Sequence, residues 1–429
     1  MVTTPKGHTG KKPRVVMHPK PRTHQPSTVN APSSDVAPQE PPANPNIFKR
    51  IVSRVEGRGK ASSGSAYYMI LGATLALTAI GLMMVLSASS VEAIAEETNT
   101  FKLFLKQSVF AAMGIILMLL LSRTGKRFYT AIAWPSLIGA WVLLALVQIV
   151  GKNVGGNKNW IDIAGITFQP SEPTKLVLAL WCATVLARKA GLVRHPMHAL
   201  IPVLPLGGLA ILLVLIGGDL GTAMILMLIV VAAVFFAGAP VKIFALAGLA
   251  GAVASVALVI LSPNRSGRIQ SWLRLNCDLA SDPCLQATNG FKAMASGGWW
   301  GVGIFQSRQK WNWIPEAHND FIFTIIGEEF GLIGTTIVVA LFAALAIAGI
   351  RVTLRHTDPF VRILGGSILV WLIGQAFVNI AVVTGVLPVV GVPLPFISYG
   401  GSALTFSLAA VGVLLSFARK IPESETTSA

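Results

Sequence analysis

Charged residues are scarce in this chain: Asp, Glu, Lys and Arg make up 12% of its 429 residues, while 53% are hydrophobic. Mean hydropathy is +0.67, and the apolar runs reach the roughly 20 residues that cross a bilayer as a helix. The chain therefore reads as an all-α polytopic membrane protein. Acidic residues are scarcer than basic ones, 18 against 34, which leaves a net charge of +16. That excess does not point to nucleic acid, because the Lys and Arg residues stand in an N-terminal tail and in short turns between apolar runs, where membrane topology accounts for them. Cysteine is nearly absent, and no second Cys or His pair lies close enough in sequence to complete a four-ligand metal site. Cys182 falls in an apolar run and reads as a small buried residue. Cys277 and Cys284, seven positions apart in a long polar stretch, are candidates for a disulfide. Residues 1–62 lack any apolar run able to build a core, and they lack the apolar segment and cleavage site of a signal peptide. They are expected to form a disordered basic cytoplasmic tail.

About ten spans can be drawn after the tail, near 67–90, 103–121, 128–150, 172–188, 198–216, 219–237, 241–261, 322–349, 362–384 and 399–418. They define a membrane domain over 63–420, followed by a short cytoplasmic tail, 421–429. Arg123, Lys126, Arg127, Arg188, Lys189, Arg194, Lys242, Arg351, Arg355, Arg362, Arg419 and Lys420 all fall on the side of the basic tail, while Glu92, Glu96 and Glu97 fall on the other. The positive-inside rule then puts both termini in the cytoplasm. Three polar excursions face outward: 151–171, 385–398, and the long 262–320 between spans seven and eight. They are rich in Gly, Pro and Trp, as in Gly297-Gly298-Trp299-Trp300-Gly301-Val302-Gly303. Such backbone is tolerated at membrane depth only where it is buried in protein or lines a wet cavity.

A few polar groups near these spans need a reason to be there. Glu172 and Lys175 are three residues apart at the start of the fourth span, so they can pair with one another, or Lys175 can face an anionic ligand. Asp219 opens the sixth span and suits an N-cap. Gln375 and Asn379, one turn apart, can cross-link helices. Asp320 also precedes a helix and could cap it, but capping does not explain its company: Arg308, Gln309, Lys310, Glu316 and His318 come before it, Glu328 and Glu329 after it. A carboxylate among cations at a dry, membrane-level site suits proton removal beside a phosphate-bearing substrate.

The ordered motifs resemble the SEDS proteins of bacterial shape, elongation, division and sporulation. They run from Leu86-Ser87-Ala88-Ser89 through Asn159-Trp160-Ile161, Gln169-Pro170-Ser171-Glu172 and Asp219-Leu220-Gly221-Thr222-Ala223. The series continues with Gln309-Lys310, Pro315-Glu316-Ala317-His318-Asn319-Asp320-Phe321-Ile322-Phe323, Gly327-Glu328-Glu329-Phe330-Gly331 and Ser398-Tyr399-Gly400-Gly401-Ser402. The resemblance does not cover the tail before residue 65. Glu316-Ala317-His318 and the long tail are more similar to the division branch than to the elongation branch. Asn159 departs from the family, where an arginine commonly precedes the Trp, and so do Gly217 and Gly218, where a carboxamide or acid with proline often precedes the Asp.

The resemblance implies a peptidoglycan glycosyltransferase that polymerises lipid II on the outer face of the cytoplasmic membrane during septal wall synthesis, with the residue matching Asp320 essential. It also implies a class B penicillin-binding protein as partner, along with other division proteins. In such a reaction a sugar hydroxyl attacks an anomeric carbon whose leaving group is a polyprenyl diphosphate. A carboxylate accepts the proton, and cations stabilise the departing charge. Asp320 is the expected general base. Lys175, Glu172, Arg308, Gln309, Lys310, Glu316, His318 and Ser398 are candidate substrate contacts, and a divalent cation, Mg²⁺ or Mn²⁺, is the only cofactor entertained. The competing readings are a lipid II flippase, an inactive scaffold for a partner synthase and an elongation-type polymerase. Against transport stand the clustering of charge near one face, the absence of an evident inverted repeat and the lack of a chain of midplane charges.

Overall fold

A computed structural model describes residues 62–95, 101–154, 157–163, 166–246, 248–249, 251, 263–273, 275, 282–309 and 318–419. The basic tail, most of the expected seventh span, Cys277, Lys310, Glu316 and the 421–429 tail lie outside the described residues. The helices are α1 (Ser62–Ala95), α2 (Lys102–Leu121), α3 (Lys126–Val150), α4 (Ser171–Arg188), α5 (Pro196–Ile216), α6 (Leu220–Phe236), α7 (Pro263–Trp272), α8 (Asp282–Gly297), α9 (Ile322–Arg355), α10 (Pro359–Val383) and α11 (Gly401–Ala418). Seven of them, α2 to α6, α10 and α11, start and stop within three residues of the apolar runs, because an apolar helix ends where turn residues and charge begin.

Among the described residues seven helices are long and apolar enough to cross a membrane: α1, α2, α3, α5, α9, α10 and α11. α6 is apolar but has only 17 residues. α4 has the length, yet it carries Glu172, Lys175 and Arg188. The protein is a multi-pass membrane protein built on a helical bundle. α10 and α11 lie at its centre, with 67% and 83% of their apolar windows buried, whereas α2 buries 22% and turns the rest outward. The outward side chains are apolar, Val109, Ile116 and Leu120 on α2 and Ile138, Val142 and Ile149 on α3, as a hydrocarbon solvent requires. α2 packs on α11 so closely that a Cβ added at Gly412 would stand 2.5 Å from the Met118 carbonyl oxygen. Small residues at such crossings let backbones meet where no hydrophobic drive exists between helices.

Hydrogen bonds gather the long loops at one end of the bundle. Lys158 N–H donates to Gly217 O at 2.9 Å, Tyr399 N–H to His318 O at 3.0 Å and the Trp272 indole to Gly385 O at 2.8 Å. Charged turns gather at the opposite end, where Lys126 pairs with Asp358 at 2.5 Å and the Arg419 guanidinium donates to the Tyr67 hydroxyl.

Two of the excursions are more regular than turn-rich composition suggests. The stretch expected to be irregular near 151–171 folds into an antiparallel sheet of β1 (Lys152–Val154), β2 (Asn157–Ile163) and β3 (Ile166–Phe168), with Ile161 opposite Phe168. Along β2, Asn159 and Ile161 are buried while their neighbours Lys158, Trp160 and Asp162 are partly exposed, the period-2 pattern of a strand with one covered face. The 263–297 region supplies α7 and α8.

The expected eighth span is also longer than its apolar run and is broken. α9 continues to Arg355 and loses helical geometry at Gly331, where φ is 64° and ψ is −160°. The glycine-rich segment lies in the break. Leu332 N–H donates to Gly298 O at 2.9 Å, Ile333 N–H to Trp299 O at 3.3 Å, Val302 N–H to Glu328 O at 2.9 Å and Gly303 N–H to Glu329 O at 3.1 Å. Backbone groups freed by the break are thus paired again inside protein.

Candidate active site

Asp320 sits where the long loop turns into α9. The N-cap position of that helix falls on Phe321, which makes no side-chain capping bond, so Asp320 stands one residue outside. Its backbone is fixed from α10. The Asn379 amide nitrogen donates to Asp320 O at 2.8 Å and to Val392 O at 2.7 Å. One buried side chain therefore joins the end of the long loop to the segment before α11. At Gly391, where φ is 77°, an added Cβ would stand 3.4 Å from Asp320 Oδ2. The half-buried carboxylate thus lies beside the backbone at Gly391.

His318 and Ser398 belong to the same junction. The His318 carbonyl accepts from Tyr399 N–H, and its ring meets the Tyr399 ring edge to face at 5.4 Å. Ser398 is buried, and its hydroxyl oxygen accepts from Leu394 N–H at 2.8 Å. Its carbonyl accepts from the Gln107 amide, whose oxygen in turn accepts from Gly400 N–H. These bonds make Ser398 part of a closed turn, with its hydroxyl oxygen as an acceptor.

Glu172 and Lys175 form the helix-internal pair, at 2.8 Å, with each side chain 2% exposed. Lys175 Nζ also donates to Gln375 Oε1 at 3.1 Å and lies 5.4 Å from the centroid of the Trp371 ring. Trp371 Nε1 donates to that same Gln375 oxygen, and the Gln375 amide nitrogen donates to Pro393 O at 2.8 Å. Lys175 therefore points into the protein, among partners that take up its charge. Asp219 caps α6 as its position suggests, accepting from Thr222 N–H at 2.9 Å, and it receives the Gln169 amide at 3.0 Å.

The cationic flank is organised by a residue to which composition assigned no role. Glu328 is 1% exposed. Its carboxylate accepts from the Ser307 hydroxyl at 2.5 Å, from Arg308 N–H at 3.0 Å and from Gln309 N–H at 3.4 Å. Three donors offset the desolvation cost of this buried carboxylate, and it fixes the 307–309 turn while the Arg308 side chain stays exposed. Its neighbour Glu329 accepts from Ser87 of α1 at 2.6 Å. Among the described residues no three His, Cys, Asp or Glu side chains come together as a metal site. Cys182 is free and buried, and Cys284 is buried and disulfide-bonded.

Residues 67–422 match the family described as "Cell cycle protein", whose members carry the names FtsW, RodA and SpoVE. The chain belongs to this family, the SEDS proteins. Relatives include the probable peptidoglycan glycosyltransferase FtsW of Mycobacterium tuberculosis, 37% identical over 84% of this chain and 69% of that protein. The protein of the same name from Geobacter sulfurreducens (strain ATCC 51573 / DSM 12127 / PCA) is 38% identical over 82% of this chain and 95% of its own. Among solved structures, a chain of a peptidoglycan synthase complex superposes with TM-score 0.67 at 27% identity, covering 82% of this chain and 96% of that one. RodA of Thermus thermophilus gives 0.61 at 26% identity, covering 83% and 97%. The family match takes in the segments that hold Asp320, Glu172 with Lys175, and Glu328 with Glu329.

Proposed function

We propose that the protein is a peptidoglycan glycosyltransferase that polymerises lipid II for the division septum, with Asp320 as general base. The observation that carries this reading is the placement of Asp320: a half-buried carboxylate, set at a loop–helix junction by Asn379 and facing the backbone at Gly391. A sugar hydroxyl on one substrate loses its proton to that carboxylate as its oxygen bonds to the anomeric carbon of the other. The carbon–oxygen bond to the polyprenyl diphosphate breaks with its electron pair, so one displacement inverts the centre. Arg308, exposed on a turn that Glu328 holds rigid, is suited to receive the developing diphosphate charge. Lys310 and Glu316 belong to the same stretch of sequence.

Support for a reaction at the outer face of the cytoplasmic membrane, with both termini inside, comes from the gathering of the junction's loops at the end opposite the basic turns, read with the positive-inside rule. Support for the septal role comes from relatives named FtsW at 37–38% identity over most of the chain. The likeness to a chain of a peptidoglycan synthase complex supports a class B penicillin-binding protein as partner.

The deciding experiment supplies lipid II already in the outer leaflet to purified wild-type protein and to Asp320→Ala and Asp320→Asn, each with the partner. Polymer from wild type, with none from Asp320→Ala and little from Asp320→Asn, is the expected result. Equal polymer from wild type and Asp320→Ala would sink the general-base role. Translocation without polymer would make the protein a flippase.

A further inference from the structure

Two amides on one face of α10 hold the segment that faces Asp320. Asn379 donates to Asp320 O and Val392 O, and Gln375, one turn earlier, donates to Pro393 O. Two consecutive carbonyls of the 391–393 segment are therefore held from α10, next to the glycine that Asp320 Oδ2 approaches. Gln375 is set in its turn, since its oxygen accepts from both Lys175 Nζ and Trp371 Nε1. With the oxygen occupied by donors, its nitrogen has to face Pro393. Lys175 is held in place by Glu172.

We propose that Gln375 and Asn379 position the Asp320 carboxylate, and that the buried Glu172–Lys175 pair serves that positioning by fixing the orientation of Gln375 instead of contacting substrate. The physical reason lies in the cost of the ion pair. Two charges 2% exposed are costly to bury, and a pair so placed has no surface left for a diphosphate. What it does supply is an ammonium donor that sorts the two ends of the Gln375 amide. A substrate contact would lower affinity when removed, whereas a positioning group lowers the rate of the bound complex, because misplacing a reacting group by about 1 Å costs on the order of 10²-fold.

This rests on the polymerase reading, and the experiment separates the two. The full chain with its partner is assayed for kcat and KM on lipid II, as wild type, Asn379→Leu, Gln375→Leu, the charge-neutral pair Glu172→Gln/Lys175→Met, and that pair combined with Gln375→Leu. If wild type makes no polymer, the proposed function fails before this inference is reached. Given an active wild type, Asn379→Leu is expected to lower kcat by about 10²-fold with KM within about twofold. The charge-neutral pair and Gln375→Leu should each lower kcat, and their combination should be no worse than the stronger of the two, as expected for groups acting in series. A KM raised at unchanged kcat, or losses that multiply in the combination, would overturn the proposal by making Lys175 a direct substrate contact. Thermal unfolding in detergent accompanies each variant. A charge-neutral pair that melts like wild type yet leaves kcat intact would overturn it as well.

Discussion

Ser87 in α1 donates its hydroxyl hydrogen to Glu329 Oε1 in α9 at 2.6 Å, across 242 positions of sequence. Both side chains are almost fully buried, so the bond ties the first described helix to the broken one beside the glycine-rich loop. Hydrogen bonds to a buried charged group contribute about 1.5–3 kcal/mol. Ser87→Ala should lower stability by an amount in that range, read as a reduced melting temperature of the purified protein in detergent, and Ser87→Thr should recover part of it. No change in melting for Ser87→Ala would show that the bond contributes nothing net.

Glu328 holds the 307–309 turn through three donors. Glu328→Gln keeps the shape but turns an accepting oxygen into a donating amide that faces N–H groups. A loss of about 1–3 kcal/mol is expected from the groups left unsatisfied. Polymerisation should fall with it, because Arg308 rides on that turn. Protease sensitivity around residues 307–309, compared between wild type and variant, reads the local loosening directly, and an unchanged cleavage pattern would count against the anchoring role.

Gly331 occupies a conformation, φ 64° and ψ −160°, that L side chains rarely adopt, and an added Cβ would stand 2.5 Å from both Gly301 N and Trp299 O. Backbone strain of this kind costs of order 1–3 kcal/mol before any clash is counted. Gly331→Ala should therefore express poorly or melt well below wild type, whereas Gly139→Ala, where nothing lies within 4 Å, should be tolerated. Equal stability of the two variants would show that the break in α9 can close into continuous helix.

Removing one member of the Glu172–Lys175 pair leaves an uncompensated buried charge. Lys175→Met alone should destabilise by about 3–5 kcal/mol, and adding Glu172→Gln should restore much of the loss. Melting temperatures of wild type, the single variant and the double variant test this. A double variant no better than Lys175→Met would mean that the pair contributes through its packing instead of its charge balance.

The membrane class, the bounds of seven helices and the separation of basic turns from long loops were legible in the sequence. Each depends on local composition, with about 20 apolar residues for a span and charge or turn residues at its end. The candidate site was legible in part. Asp320 stood out by its neighbours, Asp219 by its place before a helix, and the Glu172–Lys175 pair by its spacing of three. The ordered motifs added the family, since short runs of residues in a fixed order can be matched along the chain without the fold.

Other features depended on contacts between distant segments. Ser398 and Lys175 are candidates for touching substrate, and the sequence does not say that the Ser398 hydroxyl accepts from Leu394 N–H or that the ammonium is buried against Glu172, Gln375 and Trp371. The role of Glu328 could not be read from its own surroundings, because its donors lie about twenty residues upstream in a loop. Nothing local says that Asn379 reaches Asp320, 59 residues away, or that Gly331 breaks a helix to admit residues 298–303. The sequence by itself determined which segments are apolar and long enough to span a membrane and which residues carry charge beside them, because the free energy of transfer into hydrocarbon accumulates residue by residue. Only the tertiary structure decided which polar groups meet across helices, as Lys175 meets Gln375 and Ser87 meets Glu329, because pairing in a dry interior depends on which groups the packing of separate helices brings within about 3 Å.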